Sequence, residues 1–148
     1  MSRKNAREIA LHLIFEYGFG TFEAENVREE CLSDEIMSLI SGEIALYAGK
    51  LSEAQTNYIV SVVTGVAKHL EELDKTIQDH AKGWSFKRLS RITVALLRLA
   101  IFEMRYVEDV PTGAAINEAV ELAKVYDSTE AASFINGILG SVSRMTAE

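Results

Sequence analysis

The segment from about residue 86 to residue 106 most constrains the fold, because it would be apolar around most of a helix. Its broad apolar face consists of Leu89, Ile92, Leu96, Leu97, Leu99, Ala100, Ile101 and Met104. A helix this widely hydrophobic is normally the central helix of a bundle. The chain has one proline, and its β-branched residues are scattered rather than gathered in alternating runs. The sequence therefore predicts an all-α fold.

Apolar residues recur at helical spacing in six further segments. The predicted helices cover about residues 4–17, 33–47 and 52–70, a continuation through Leu73 and Ile77, and segments after Pro111 and after residue 127. Ser52-Glu-Ala-Gln55 and Asp127-Ser-Thr-Glu130 have the form of capping boxes, which begin helices. Because 148 residues, 48% of them hydrophobic, can bury one core, we expect a single domain of about seven helices over residues 1–148.

Motifs for catalysis or cofactor binding are missing from the sequence. It has no GxGxxG, Walker or GxSxG motif. The three histidines, His12, His69 and His80, have no second histidine at i+4, and Cys31 is the single cysteine. The longest uncharged run, residues 54–67, is too short to span a bilayer, and the N-terminus lacks the apolar core of a signal peptide. We expect a cytoplasmic, non-enzymatic protein with no metal, no cofactor and no membrane association.

The charged residues are segregated along the chain. The net charge is −7, yet residues 82–105 carry six basic residues against one acidic residue. Residues 1–15 add three basic residues against one acidic residue. Because salt screens distant charges beyond ~10 Å, a local basic face can exist on an acidic protein.

Two groups of basic residues are candidates for binding RNA phosphates. Arg3, Lys4 and Arg7 lie where a helix begins, a position that the helix dipole disfavours for cations. Phosphate contacts would explain them, and a frayed, solubilising terminus is the alternative. Arg91, Arg98 and Arg105 are separated by seven residues, with Lys87 and Arg88 before them. Arg98 lies in an apolar stretch, so it either pairs with Glu103 or a carboxylate of the next helix, or points into a basic groove.

Two aromatic residues are candidates for stacking on unpaired bases. Phe15 and Phe134 lie near predicted helix ends or charged neighbours. Stacking contributes ~1–3 kcal/mol per base in single-stranded RNA binding. Core packing is the alternative for both.

Three strings in order resemble the NusB family of bacterial transcription antitermination factors. They are Ser2-Arg-Lys-Asn-Ala-Arg-Glu8 with the apolar run after it, Leu97-Arg-Leu-Ala100, and Ala115-Ile-Asn-Glu-Ala-Val-Glu-Leu-Ala-Lys124 followed by Phe134-Ile-Asn-Gly-Ile-Leu139. The resemblance implies two packed helical subdomains, about residues 1–80 and 81–148. It also implies binding of single-stranded boxA RNA from ribosomal RNA leader transcripts, together with the ribosomal protein NusE, in an RNA polymerase antitermination complex.

The residues and the resemblance together define a predicted RNA-binding set. It comprises Arg3, Lys4, Arg7, Phe15, Arg88, Arg91, Arg98, Glu130 and Phe134. Family members often have tyrosine where this chain has Phe15, and an acidic Glu130 facing RNA would lower affinity. About four phosphate contacts would give a logarithmic salt slope of about −3.

Two alternatives to a separate RNA-binding factor remain. The same fold forms the N-terminal part of some ribosomal RNA cytosine methyltransferases, which a chain ending at Glu148 disfavours. The second alternative is a helical protein–protein adaptor or a self-associating dimer that hides its basic face. We expect the protein to be a monomer or a homodimer.

Overall fold

The fold is all-α, as predicted. The computed structural model describes residues 3–17, 51–81 and 89–147. Six helices and no strand lie in these ranges: α1 (Arg3–Tyr17), α2 (Glu53–Lys68), α3 (Leu70–His80), α4 (Arg91–Tyr106), α5 (Thr112–Tyr126) and α6 (Thr129–Ala147). The helix predicted over residues 33–47 lies outside the described residues. No helix in the described ranges is long and apolar enough to cross a membrane.

The chain divides into two compact units, Met1–Lys68 and His69–Glu148. The division lies between α2 and α3, and the predicted boundary between the helical subdomains lies near residue 80. The contacts of α3 explain this position, because α3 packs on α4 and α6 of the second unit. Leu73 and Ile77 are the fully buried apolar residues of α3.

In the first unit, α1 packs against α2 through apolar faces of helical spacing. The buried residues of α1 include Ala6, Ile9, Ala10, Leu11, Leu13 and Ile14, and those of α2 include Tyr58, Ile59, Val62, Val63 and Val66. The predicted capping box begins α2. The Gln55 amide N–H donates to Ser52 Oγ at 3.1 Å, and the Ser52 amide N–H donates to Gln55 Oε1 at 2.9 Å.

In the second unit, α4 is the central helix and contacts α3, α5 and α6. Every residue from Thr93 to Glu103 is buried, which confirms the conclusion drawn from its broad apolar face. The helices α5 and α6 pack against each other, and Pro111 immediately precedes α5. The apolar string Phe134-Ile-Asn-Gly-Ile-Leu139 places Ile135, Ile138 and Leu139 in the core.

One predicted helix start and one predicted cap residue are wrong. The central helix begins at Arg91 rather than near residue 86, because the Ser90 hydroxyl accepts a hydrogen bond from the Thr93 amide and caps it. The last helix is capped by Ser128 rather than Asp127, because the Ala131 amide N–H donates to Ser128 Oγ at 3.0 Å. The Asp127 side chain instead contacts α4.

Candidate nucleic-acid interface

The N-terminal basic residues lie on the first two turns of α1, which is helical from Arg3. Lys4 is exposed and Arg3 is half-buried, whereas Arg7 is only 6% exposed. The first turn contains no acidic residue, so its charges gain no stabilisation from the helix dipole. Lys4 is thus the cation of this group that solvent reaches most readily, whereas Arg7 is buried in the first unit.

Arg3 is held against an aromatic ring of α2. Its guanidinium carbon lies over the Tyr58 ring, 4.3 Å from the ring centroid. This is well inside the distance of about 6 Å at which a cation is attracted to the face of a ring. Tyr58 is itself 6% exposed, so a cation at the start of α1 lies against a residue of the core.

Arg98 forms a buried ion pair with Asp74 of α3. Its Nε donates to Asp74 Oδ1 at 2.7 Å and its Nη2 donates to Oδ2 at 2.9 Å. This is the bidentate geometry in which a planar guanidinium matches a carboxylate. Arg98 is 4% exposed, so it has a carboxylate partner at the edge of the core. The carboxylate comes from Asp74 of α3, whereas Glu103 or the helix after α4 was predicted to supply it.

A second connection joins the beginnings of α4 and α6. Asp127 Oδ2 accepts hydrogen bonds from Thr93 Oγ1 at 2.6 Å and from Ser90 Oγ at 3.0 Å. Arg91 follows Ser90 and is exposed, and α6 begins two residues after Asp127. The two helix starts that carry candidate residues therefore meet at one end of the second unit. Arg88 lies outside the described residues.

The remaining candidates lie at intermediate or exposed positions. Glu130 is exposed in the first turn of α6, where an acidic residue is stabilised by the helix dipole. Phe134 lies one turn further along and is half-buried, and Phe15 is half-buried in the first unit. Neither phenylalanine is fully enclosed in the core, so part of each residue is accessible to solvent.

The candidate set thus falls into two groups. Arg3, Lys4, Arg7 and Phe15 lie on α1 in the first unit. Arg91, Glu130 and Phe134 belong to the end of the second unit where Asp127 joins two helix starts, whereas Arg98 lies further along α4. Within the second unit, tertiary structure brings together residues separated by more than thirty positions.

A polar and aromatic cluster outside the predicted set surrounds Glu72. The Tyr106 hydroxyl donates to both Glu72 carboxylate oxygens, at 2.9 and 2.8 Å, although Tyr106 is 43% exposed. His69 stacks on Tyr106 with ring centroids 4.5 Å apart, and Arg105 Nη1 lies 3.6 Å from Glu72. The hydrogen bond to Glu72 is the main cause that raises the pKa of Tyr106 above its usual value, and desolvation and the Glu72 charge raise it further. The described ranges contain no group of three or more His, Cys, Asp or Glu residues that could hold a metal ion.

Three residues that shape the candidate interface were missed by sequence reasoning: Tyr58, Asp74 and Asp127. Tyr58 belongs to none of the predicted motifs or candidate sets, and Asp127 was interpreted as a local helix cap. Their contacts join residues far apart in the chain, at separations of 24 residues for Asp74 with Arg98 and 34 for Asp127 with Thr93. Periodicity and capping motifs report only on near neighbours.

Comparison with known proteins covers nearly the whole chain. The sequence profile of the NusB family matches residues 4–144. A transcription antitermination protein NusB from Acetivibrio thermocellus is 44% identical over 142 residues, which are 96% of this chain and 88% of that protein.

Solved structures with the same fold are also similar. The NusB structure from T. maritima has a TM-score of 0.72 and 26% identity, and the match covers 97% of this chain and 92% of that one. A complex of the antitermination factors NusB and NusE with double-stranded RNA contains a chain with a TM-score of 0.71. Its identity is 22%, with coverage of 97% and 96%, so it supports the fold alone.

Proposed function

The chain belongs to the NusB family, and from this premise we propose that it is a transcription antitermination factor. It binds single-stranded boxA RNA of ribosomal RNA leader transcripts together with the ribosomal protein NusE, and it catalyses no reaction. The observation that carries the proposal is the 44% identity to an antitermination protein NusB across 96% of the chain. We propose that it acts in the cytoplasm, as part of an RNA polymerase antitermination complex.

The described surface supports two RNA-contacting regions. On α1, Arg3 and Lys4 supply cations, and the half-buried Phe15 supplies an aromatic ring. In the second unit, the exposed Arg91 supplies a cation, and Glu130 and Phe134 lie in the first turns of α6. Arg88 precedes Arg91 in the sequence, outside the described residues, and is proposed as a further cation. Phosphate contacts then provide affinity, and the rings stack on bases.

Arg7 and Arg98 have a different part in the proposal. Both are buried, and Arg98 is bound to Asp74 through two nitrogens. We expect them to contribute by fixing α1 and α4 rather than by neutralising phosphates. Four cations remain for the phosphates, namely Arg3, Lys4, Arg88 and Arg91, which corresponds to a salt slope of about −3 for a single strand.

Fluorescence anisotropy tests the proposal with a labelled single-stranded boxA-like RNA, a scrambled RNA and a duplex of the boxA-like RNA. Each is measured with and without NusE over a range of salt concentrations. We expect preference for the single-stranded boxA-like RNA, tighter binding with NusE, and a slope of about −3. Equal binding to all three RNAs that is independent of NusE, or a slope near zero, would contradict it.

Charge reversal separates an RNA binder from the alternative, a helical adaptor or a self-associating dimer. Lys4→Glu in α1 should lower RNA affinity and reduce the salt slope. Lys75→Glu is the matched control, because Lys75 is an exposed lysine on α3 outside the proposed surface. If the parent protein binds NusE but has no affinity for RNA, the adaptor is favoured. Sedimentation of the same samples distinguishes a monomer from a homodimer.

A further inference from the structure

The contact between Arg3 and Tyr58 joins a candidate RNA-binding cation to the core of the first unit. The guanidinium carbon of Arg3 lies 4.3 Å from the centroid of the Tyr58 ring. Tyr58 lies in the second turn of α2 and is buried, whereas Arg3 is half-buried and begins α1. The ring belongs to a packed helix pair, so the surface on which the guanidinium rests is rigid.

We propose that Tyr58 is a positioning residue for RNA binding, which holds the Arg3 guanidinium in place at the first turn of α1 before RNA arrives. This inference rests on the proposed function and adds a residue that neither the motifs nor the family strings single out. Tyr58 acts through Arg3 and need not touch RNA.

The physical basis is the entropy of a long side chain. An arginine that RNA must immobilise loses rotamer freedom on binding, and this loss weakens the complex. A side chain already ordered on a ring has lost most of that freedom during folding. An Arg3 side chain that is already ordered therefore loses less entropy when it binds a phosphate, and the RNA binds more tightly.

The geometry of a guanidinium suits this role. Its N–H donors lie in its own plane, so contact of one face with a ring does not consume them. A lysine ammonium can also lie over a ring, but it has no planar face to stack there, so the contact favours arginine at position 3.

A double-mutant cycle in RNA binding tests the inference, with a labelled single-stranded boxA-like RNA in the presence of NusE. Tyr58→Phe keeps the ring and should bind within about twofold of the parent. Tyr58→Leu removes the ring and should weaken binding about three- to tenfold. In an Arg3→Ala background, Tyr58→Leu should change affinity less than about twofold.

A structural control is needed because Tyr58 is buried. Val62→Ala loosens the same face of α2 without removing an aromatic ring. It should leave RNA affinity unchanged wherever circular dichroism shows the protein to be folded. If Tyr58→Leu fails to fold, 3,4,5-trifluorophenylalanine at position 58 keeps the shape of the ring and weakens its attraction for a cation.

The order of the Arg3 side chain gives a second readout without RNA. The ¹⁵N order parameter at Arg3 Nε should fall in Tyr58→Leu and stay high in Tyr58→Phe. An unchanged order parameter, or equal RNA affinities for folded Tyr58→Leu and Tyr58→Phe, would overturn the positioning role and leave the proposed function intact. If the parent binds no RNA even with NusE, the proposed function itself is overturned, and the role of Tyr58 with it.

Discussion

Removing Asp74 should destabilise the second unit by leaving the Arg98 charge without its bidentate partner. Breaking one side of a buried ion pair costs about 3–5 kcal/mol. The Arg98 side chain is 5% exposed and that of Asp74 is 21% exposed, so water can replace part of the lost contact. We therefore expect Asp74→Ala to lower the free energy of unfolding by about 3 kcal/mol, the low end of that range.

Urea unfolding followed by circular dichroism measures this effect. With a slope of about 2 kcal/mol per molar urea, the midpoint should fall by roughly 1.5 M. Asp79→Ala is the matched control, because Asp79 is an exposed carboxylate on the same helix. It should shift the midpoint by less than about 0.3 M.

The double variant Asp74→Leu/Arg98→Met separates the ion pair from packing. Replacing both charges by apolar side chains should restore stability to within about 1 kcal/mol of the parent. It should also keep RNA affinity within about twofold, because Arg98 is proposed to hold α4 rather than a phosphate. A loss of less than 1 kcal/mol in Asp74→Ala would refute the energetic reasoning, and a large loss of RNA affinity in the folded double variant would return Arg98 to the phosphate-binding set.

Three further predictions concern the second unit. Asp127→Ala removes the acceptor for Ser90 and Thr93 and should lower the free energy of unfolding by about 1–3 kcal/mol in urea titrations; no change would contradict the role of this contact. Gly137→Ala should raise the free energy of unfolding by about 0.5–1 kcal/mol, because Gly137 lies within α6 and a Cβ at this position would have no atom within 4 Å. Destabilisation would show that this position requires glycine. Absorbance at 295 nm should show Tyr106 ionising above its usual pKa of 10.0, and the pKa falling in Glu72→Gln. Because the folded-state pKa is raised, the stabilisation by this hydrogen bond is present below pH 10 and is lost as pH rises through the folded-state pKa.

Local signals in the sequence predicted several elements correctly. The Ser52-Glu-Ala-Gln55 capping box forms as expected, and Pro111 directly precedes α5. The apolar width of residues 93–103 was enough to place α4 at the centre of its unit. These features depend on residues within about four positions of each other, or on the spacing of apolar side chains along one helix.

The cap residue of α6 was predicted incorrectly because two capping residues compete. Asp127 and Ser128 are both good cap residues, and the sequence alone does not distinguish them. In the structure, Ser128 caps α6 and Asp127 binds Ser90 and Thr93 of α4. The choice depends on a helix that lies more than thirty residues earlier in the chain.

The sequence by itself determined the all-α class, the central position of α4 and the family, because periodicity and short strings carry this information. Only the tertiary structure decided which cations are available at the surface. It buried Arg98 on Asp74 and placed Arg3 on Tyr58, while Lys4 on the next position of α1 stayed exposed. The physical reason is that the environment of a charged side chain is set by the groups that other helices bring to it, and spacing along one helix does not encode those groups.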